Sequence, residues 1–146
     1  MITQNRWLHI LCVARKCKEY AAKFRPNDIK FAEDMFLLGM LHDVGYEFNQ
    51  SNSSHAAVGG EILKRNDYRY WQEVSLHGNE KVDNITDELF ILNCADMSTG
   101  PNGEDFTFEE RLEEIASRFG KDADAYKKCV IEVEKLKTDK RYEKIR

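Results

Sequence analysis

Apolar residues recur at helical spacing along most of the chain, and little of it alternates as a β-strand does. The first helix is predicted from about residue 3 to residue 24, ended by Arg25 and Pro26. Its inward stripe is Ile10, Val13, Ala14, Cys17, Ala21 and Phe24. Its outward side carries Arg15, Lys16, Lys18, Glu19 and Lys23. Arg6 and His9 lie on or beside the inward stripe, which is an unusual place for an arginine and a histidine.

Further helices follow from the same spacing and from turn and capping residues. They are predicted at about residues 27–43, 55–65, 66–77, 86–97, 107–119 and from 122 to the C-terminus. Ser53 or Ser54 caps the third helix, and Thr107 with Glu110 forms a capping box for the sixth. Charge increases after Leu136, which predicts an exposed C-terminal end. The inward side of the second helix is predicted to be Ile29, Ala32, Phe36 and Met40.

Two features interrupt this regular pattern. Gly59 and Gly60 stand inside the third helix, where each costs roughly 1 kcal/mol relative to alanine. They predict a close approach of the backbone to another helix or to a ligand. Asp96 shares one face of the fifth helix with Leu89 and Leu92, so its carboxylate is predicted to face the interior.

Length and composition favour a single all-α domain over residues 1–146, a bundle of about six to seven helices. The 146 residues are 42% hydrophobic and 33% charged, with a net charge of −4 and two prolines. No block of Lys and Arg is present, which argues against a long nucleic acid or a membrane surface as partner. A small phosphorylated ligand remains compatible with this charge.

The four cysteines show no CxxC pairing and no spacing typical of structural zinc sites. Residues 7–14 are too short and too interrupted for the apolar core of a signal peptide, and residues 36–41 are too short to span a bilayer. We therefore expect a reduced, cytoplasmic protein in which the cysteines are small core residues. They are Cys12, Cys17, Cys94 and Cys129.

His42 and Asp43 end the apolar run of residues 35–41. A carboxylate removed from water is costly unless a cation or several donors lie nearby. One interpretation is a plain helix terminus, with Gly45 as stop signal and His42 interacting with the last carbonyls. The other is a divalent-metal ligand pair, since imidazole and carboxylate are ordinary ligands.

The remaining histidines favour the metal interpretation. A lone histidine near an apolar face is usually a hydrogen-bonded core residue, but that explanation would have to hold for the whole set at once. Five successive helices each supply a ligand or ligand pair, which is a natural way to build a metal site in a bundle. The candidate ligands are His9, His42, Asp43, His55, His77 and Asp96.

This ordered set resembles the HD-domain superfamily of metal-dependent phosphohydrolases. The resemblance covers residues 9–96, with a ligand-bearing core of about 3–98 and C-terminal helices at about 107–144. The similar local contexts are Arg6-x-x-His9, Leu38-Gly39-Met40-Leu41-His42-Asp43-Val44-Gly45, His55-x-x-x-Gly59-Gly60-x-Ile62-Leu63 and Ala95-Asp96.

The resemblance implies an all-helical fold with two metal ions. In the family's minimal form, one metal is held at positions matching His9, His42, Asp43 and Asp96. In its six-ligand form, Asp43 bridges two metals and His55 and His77 hold the second. Iron or manganese is favoured by analogy, and mixed N/O coordination suits them.

The implied activity is hydrolysis of a phosphoester or phosphoanhydride of a small nucleotide. A metal-bound hydroxide would be the nucleophile, with Asp43 orienting it. Arg6 is the first candidate for binding a substrate phosphate, because guanidinium groups bind phosphate oxygens in pairs. Arg111 is a second candidate, and Lys81 is a third whose ordinary role is a surface lysine.

The chain departs from the family at several positions. Many catalytic members carry lysine where this chain has Tyr46, which could donate a proton or simply pack. Small six-ligand members that hydrolyse diadenosine tetraphosphate differ from this chain at His77-Gly78 and at residues 97–100. Their substrate is therefore not carried over to this chain.

Two other functions are compatible with the same ligands. One is a mixed-valent di-iron oxygenase of this fold, and the other is a non-catalytic module that senses a nucleotide. Oxygen consumption, phosphate release and binding without turnover distinguish the three. The sequence leaves the oligomeric state open, a homo-oligomer included.

Overall fold

A computed structural model describes residues 1–48 and 55–146, and over these ranges the chain is all-helical, as predicted. The helices in these ranges are α1 (Gln4–Phe24), α2 (Ile29–Leu41), α3 (His55–Arg65), α4 (Trp71–Leu76), α5 (Asp87–Met97), α6 (Phe108–Phe119), α7 (Asp124–Thr138) and α8 (Tyr142–Ile145). A 3-10 turn, Val44–Glu47, follows α2. The predicted cap of α3 by Ser53 or Ser54 lies outside the described residues.

Capping residues set several helix ends as expected. The Thr3 side chain accepts from the amide of Arg6 at the start of α1, and Thr86 caps α5. Thr107 and Glu110 form the predicted capping box of α6. The N-cap of α2 is Asp28 rather than Asn27.

Two side chains lie on the opposite side from the one predicted. Ile29 is 74% exposed, because it occupies the first position of α2 and burial on that helix begins with Phe31 and Ala32. Lys16 is buried, because its Nζ lies 2.7 Å from Asp105 Oδ1 and also donates to a carbonyl of the loop after α5. That loop is distant in sequence, so the periodicity of α1 alone does not reveal it.

Two apolar clusters form the core, and α5 contributes to both. The first cluster joins α1 to α5, with Val13, Cys17, Ala21, Phe31, Ala32, Met35, Leu38, Leu63, Tyr70, Val74, Ile91, Leu92 and Ala95. The second packs α6, α7 and α8 against the other side of α5, with Phe90, Cys94, Met97, Phe108, Ile115, Val133, Leu136 and Ile145. The predicted ligands belong to α1–α5, so the second cluster supports them from behind.

The C-terminal region differs from its prediction. Instead of one last helix with an exposed end, α7 stops at Thr138 and α8 follows a turn. Arg141 holds this turn by donating to Asp139, to Asp87 and to the carbonyl of Ile85. Ile145 is buried in the second cluster, so the charge increase along the sequence does not mark an exposed end.

Close backbone contacts explain the glycines near α3. A Cβ on Gly60 would lie 2.5 Å from Cβ of Ser75, and one on Gly59 would lie 3.1 Å from the amide of Gly45. A Cβ on Gly45 would lie 1.9 Å from the carbonyl oxygen of His55. The predicted close approach at Gly59 and Gly60 is therefore confirmed, and it fixes the start of α3 against the 3-10 turn.

The cysteines are free thiols, and three of them are buried as predicted. Cys129 is half-buried against the second cluster. Among the described helices, none has the length and apolar content that a membrane span requires.

Candidate metal centre

The ends and faces of five helices bring all the predicted ligands to one place. His9 lies on α1, His42 and Asp43 follow α2, His55 opens α3, His77 follows α4, and Asp96 lies on α5. His42, Asp43, His9 and His77 are buried. Each ligand lies on or next to a helix that packs in the first core cluster. The folded core, and not a surface loop, therefore holds the ligands in place.

Asp43 presents one carboxylate oxygen to each of two histidine pairs. Its Oδ2 lies 3.3 Å from His42 Nε2 and 3.6 Å from His9 Nε2. Its Oδ1 lies 3.3 Å from His55 Nε2 and 3.5 Å from His77 Nε2. A single buried carboxylate is therefore shared between two sets of nitrogen ligands.

Asp96 completes the first of these sets. Its Oδ1 lies 3.0 Å from His9 Nε2 and 3.6 Å from His42 Nε2. Ligand atoms of His9, His42 and Asp96 all lie within 4.8 Å of one another, and so do those of His42, Asp43 and His77. His55 Nε2 lies 3.2 Å from His77 Nε2, which brings His55 to the second set.

Main-chain carbonyls orient three of the four histidines. The Nδ1–O distances are 2.9 Å for His9 to Gly100, 2.7 Å for His42 to Gly39 and 2.6 Å for His77 to Val74. A carbonyl oxygen only accepts, so each Nδ1 carries a proton and donates it. Nε2 is therefore the ring nitrogen that faces the carboxylates, and it is the nitrogen that would offer a lone pair to a metal ion.

This arrangement fits a cation between the rings and the carboxylates. Nε2 lone pairs facing carboxylate oxygens repel each other unless a proton or metal ion lies between them. His42 Nε2 is buried and has no hydrogen-bond partner within residues 1–48 and 55–146, although Asp43 Oδ2 lies nearby. An orphaned buried ligand atom of this kind is costly in a purely structural role. The plain helix-terminus interpretation therefore explains Nδ1 of His42 but leaves Nε2 unexplained.

Protonation of the metal-free cluster follows from the same charges. Burial by itself would lower the pKa of His42, but Asp43 and Asp96 raise it well above its ordinary value. Burial would raise the pKa of Asp43, but His42, His55 and His77 hold it well below its ordinary value. The buried carboxylate of Asp43 and the half-buried carboxylate of Asp96 thus attract a positive charge even without a metal.

Arg6 and Tyr46 cover one side of this cluster. Arg6 Nη1 donates to Asp43 Oδ2 at 3.1 Å, and its guanidinium carbon lies 3.9 Å from the centroid of the Tyr46 ring. The Tyr46 ring stacks on His55 at a centroid distance of 4.3 Å. Burial raises the pKa of the Tyr46 hydroxyl to about 12. Tyr46 therefore forms a platform between Arg6 and a ligand histidine.

The other two predicted substrate residues make no contact of this kind within the described residues. Arg111 Nη1 lies 2.5 Å from Glu114 Oε2 on the same helix, and its Nε is buried without a hydrogen-bond partner. Lys81 is exposed, and no ion pair of its side chain is found in the described part of the chain.

Two residues that support the ligands were not predicted as functional from the sequence. Asn93 Oδ1 accepts from the amide of Gly78 at 3.0 Å and so fixes the backbone that follows His77. Lys16 binds the carbonyl of Ser98 and the carboxylate of Asp105. It thereby holds the loop whose Gly100 carbonyl orients His9. The inward position of Asn93 beside Asp96 could have been read from the sequence. The inward position of Lys16 could not, because it depends on a loop that is distant in sequence.

Comparisons with family models, with curated proteins and with solved structures found no match to this chain.

Proposed function

We propose that this chain is an HD-type metal-dependent phosphohydrolase with a dinuclear centre, acting on a phosphoester or phosphoanhydride of a small nucleotide. The position of Asp43 between two histidine pairs carries this proposal. A carboxylate with one oxygen toward each pair is suited to bridge two cations. A site for a single metal ion would not use His55 and His77 as ligands.

The donor atoms define which residues would hold each ion. His9, His42 and Asp96 with Asp43 Oδ2 form the first set, and His55 and His77 with Asp43 Oδ1 form the second. Imidazole and carboxylate ligands suit iron, manganese or zinc, and the family resemblance favours iron or manganese. When bound, two close cations supply Lewis acidity toward a phosphoryl group and lower the pKa of a bound water.

The chain itself would supply substrate binding and orientation. Arg6 is placed beside Asp43 and can turn one of its N–H groups toward a phosphate oxygen, a pairing about twice as strong as a neutral hydrogen bond. Tyr46 keeps that guanidinium over the cluster by a cation–π contact. Four of the six ligands are buried, which would limit the access of bulk water to a group bound there.

Metal content tests the dinuclear centre directly. Protein purified without added metal is expected to contain close to two transition-metal ions per chain by elemental analysis. His55→Ala and His77→Ala should lose the second ion while keeping the first. A single ion that is lost in His42→Ala but kept in His55→Ala would refute the dinuclear centre.

A hydrolysis screen tests the activity. We expect phosphate or nucleotide release from at least one nucleoside mono-, di-, cyclic or bridged polyphosphate with Mn²⁺ under anaerobic conditions. Asp43→Asn, which keeps the size but removes the charge, should abolish it. Iron-dependent consumption of O₂ without anaerobic hydrolysis would identify an oxygenase, and tight nucleotide binding without turnover would identify a sensor.

A reducing, cytoplasmic location is part of the proposal. Its support is that all four cysteines are free thiols and that three of them are buried. Oxidation-state analysis of the thiols in cell extracts would test it.

A further inference from the structure

A short hairpin after α5 connects two ligands of the first set. The amide of Phe106 donates to the carbonyl of Ser98 at 3.0 Å and closes the base of this hairpin. At its turn, the carbonyl of Gly100 accepts from His9 Nδ1 at 2.9 Å. Because Ser98 lies two residues after Asp96, the hairpin runs from the end of the helix that carries Asp96 to the group that orients His9.

The hairpin lies along one face of α1. Gly103, near its tip, has a φ of +83°, and a Cβ there would lie 2.7 Å from the carbonyl oxygen of Leu8. Thr99 Oγ1 lies 3.8 Å from Cys12 Sγ, one turn further along α1. Residues four apart share a face of a helix, so both contacts are made on the same side of α1. The tip therefore docks against α1 directly beside His9.

Lys16 anchors the base of the hairpin, one turn after Cys12. Its ammonium group donates to the carbonyl of Ser98, and it lies 3.3 Å from Ser98 Oγ and 2.7 Å from Asp105 Oδ1. Ser98 is the C-cap of α5, where the last carbonyls and the helix dipole favour a cation. A buried ammonium group needs such partners, and these belong to the hairpin. One side chain thus holds both strands of the hairpin at its base.

We infer that Lys16 is a positioning residue for the first metal ion, acting through the hairpin on His9 and Asp96. The inference rests on the proposed function for the presence of that ion. Groups that orient metal ligands contribute roughly 10- to 100-fold to metal affinity. Since Lys16 acts one step further out, through the Gly100 carbonyl, we expect the lower end of that range. The second set should be unaffected, because a carbonyl of α4 orients His77 instead.

Manganese titration of the metal-free chain by calorimetry tests the anchor. The first binding step is identified as the one lost in His9→Ala, and the second as the one lost in His55→Ala. Lys16→Met, which keeps a side chain of similar length and removes its charge, should weaken the first step about 10-fold and leave the second unchanged. Lys18→Met, an exposed lysine on the same helix, should behave as wild type.

Two glycine substitutions test the hairpin from its other end, and they keep the test decisive if Lys16→Met fails to fold. Gly103→Ala places a Cβ against the Leu8 carbonyl and should push the tip away from α1, which weakens the first step. Gly120→Ala is the matched control. Its φ of +88° brings the same backbone strain, but beyond its chain neighbours no described atom lies within 4 Å of the added Cβ. It should leave both binding steps unchanged.

The outcomes separate the inference from the proposed function. Unchanged first-step affinity in Lys16→Met, or in Gly103→Ala should Lys16→Met not fold, would overturn the inference. Equal weakening of both steps with a lower melting temperature would also overturn it, because that result marks a purely structural anchor. Two bound ions without hydrolysis of any nucleotide would refute only the proposed activity. A wild type that binds no ion would refute the metal centre and the inference together.

Discussion

Arg6 is in direct contact with the shared carboxylate of Asp43. Substitution can therefore separate two roles, binding of a substrate phosphate and support of the metal centre. If it binds substrate phosphate, Arg6→Gln should lower kcat/KM by roughly 10- to 100-fold, since a hydrogen bond to a charged group contributes about 1.5–3 kcal/mol. Metal content should stay at two ions per chain. Arg15→Gln, an exposed arginine on the same helix, is the control. Loss of metal in Arg6→Gln would assign it to the centre instead.

Glu132 makes the stability of the metal-free chain depend on pH. Burial, Asp96 and Glu80 raise its pKa from 4.5 to about 8, against the influence of Arg111. Between these two pH values the native state keeps a proton that the unfolded chain has released. Stability from this group is therefore present at low pH and is lost as pH rises toward 8, by up to about 1.4 kcal/mol per pH unit.

Urea unfolding at pH 5 and pH 9 measures this dependence. The decrease in unfolding free energy between the two should be smaller in Glu132→Gln than in wild type, because the variant has no proton to release. Glu134→Gln should behave as wild type. Equal decreases in wild type and Glu132→Gln would contradict the assignment.

At the scale of elements, the spacing of α1 and α2 sets the distance between His9 and His42. A Cβ on Gly39 would lie 2.5 Å from Cα of Ala14, a backbone atom that cannot rotate away. Alanine gains about 1 kcal/mol of helix propensity over glycine, but overpacking of this kind costs about 1–3 kcal/mol. Gly39→Ala should therefore be destabilising and should weaken binding of the first metal. Urea unfolding and metal titration check both, with the exposed Ala22→Ser as control.

Helix positions were largely predictable because their signals are local. The Thr107–Glu110 capping box and the inward stripe of α1 act within a few residues of each other. Lys16 and the break between α7 and α8 were missed, because the partners of Lys16 and Arg141 are distant in sequence. Contacts between residues distant in sequence produce no periodic pattern of apolar and polar positions.

The candidate site was predictable in its ligands and not in its surroundings. Histidine and aspartate in a fixed order, on inward faces, identified the six side chains that the structure brings together. Glu132 is a single polar residue on α7, and nothing in a single sequence separates it from an ordinary surface residue, whereas the inward position of Asn93 beside Asp96 could be read from the spacing of α5. Their burial is decided by how α5 and α7 pack.

At the scale of the whole molecule, bound metal is expected to stabilise α1–α5 more than α6–α8. All predicted ligands belong to α1–α5, whereas α6–α8 contribute none. A ligand that binds only the native state stabilises it by about 2.7 kcal/mol at 100 times its dissociation constant. We expect metal loading to slow amide hydrogen exchange chiefly in α1–α5. Equal slowing of exchange in α7 and α8 would indicate that metal stabilises the whole domain and has no larger effect on α1–α5.

The carbonyls that orient His9, His42 and His77 have one consequence for mutational studies. An alanine scan changes side chains, but the acceptor groups at residues 39, 74 and 100 are main-chain atoms that every substitution retains. Such a scan would find the ligands and miss the carbonyls that fix their tautomers. Nitrogen-15 chemical shifts of the imidazole rings would detect the tautomer of each ligand, since they report directly which ring nitrogen carries the proton.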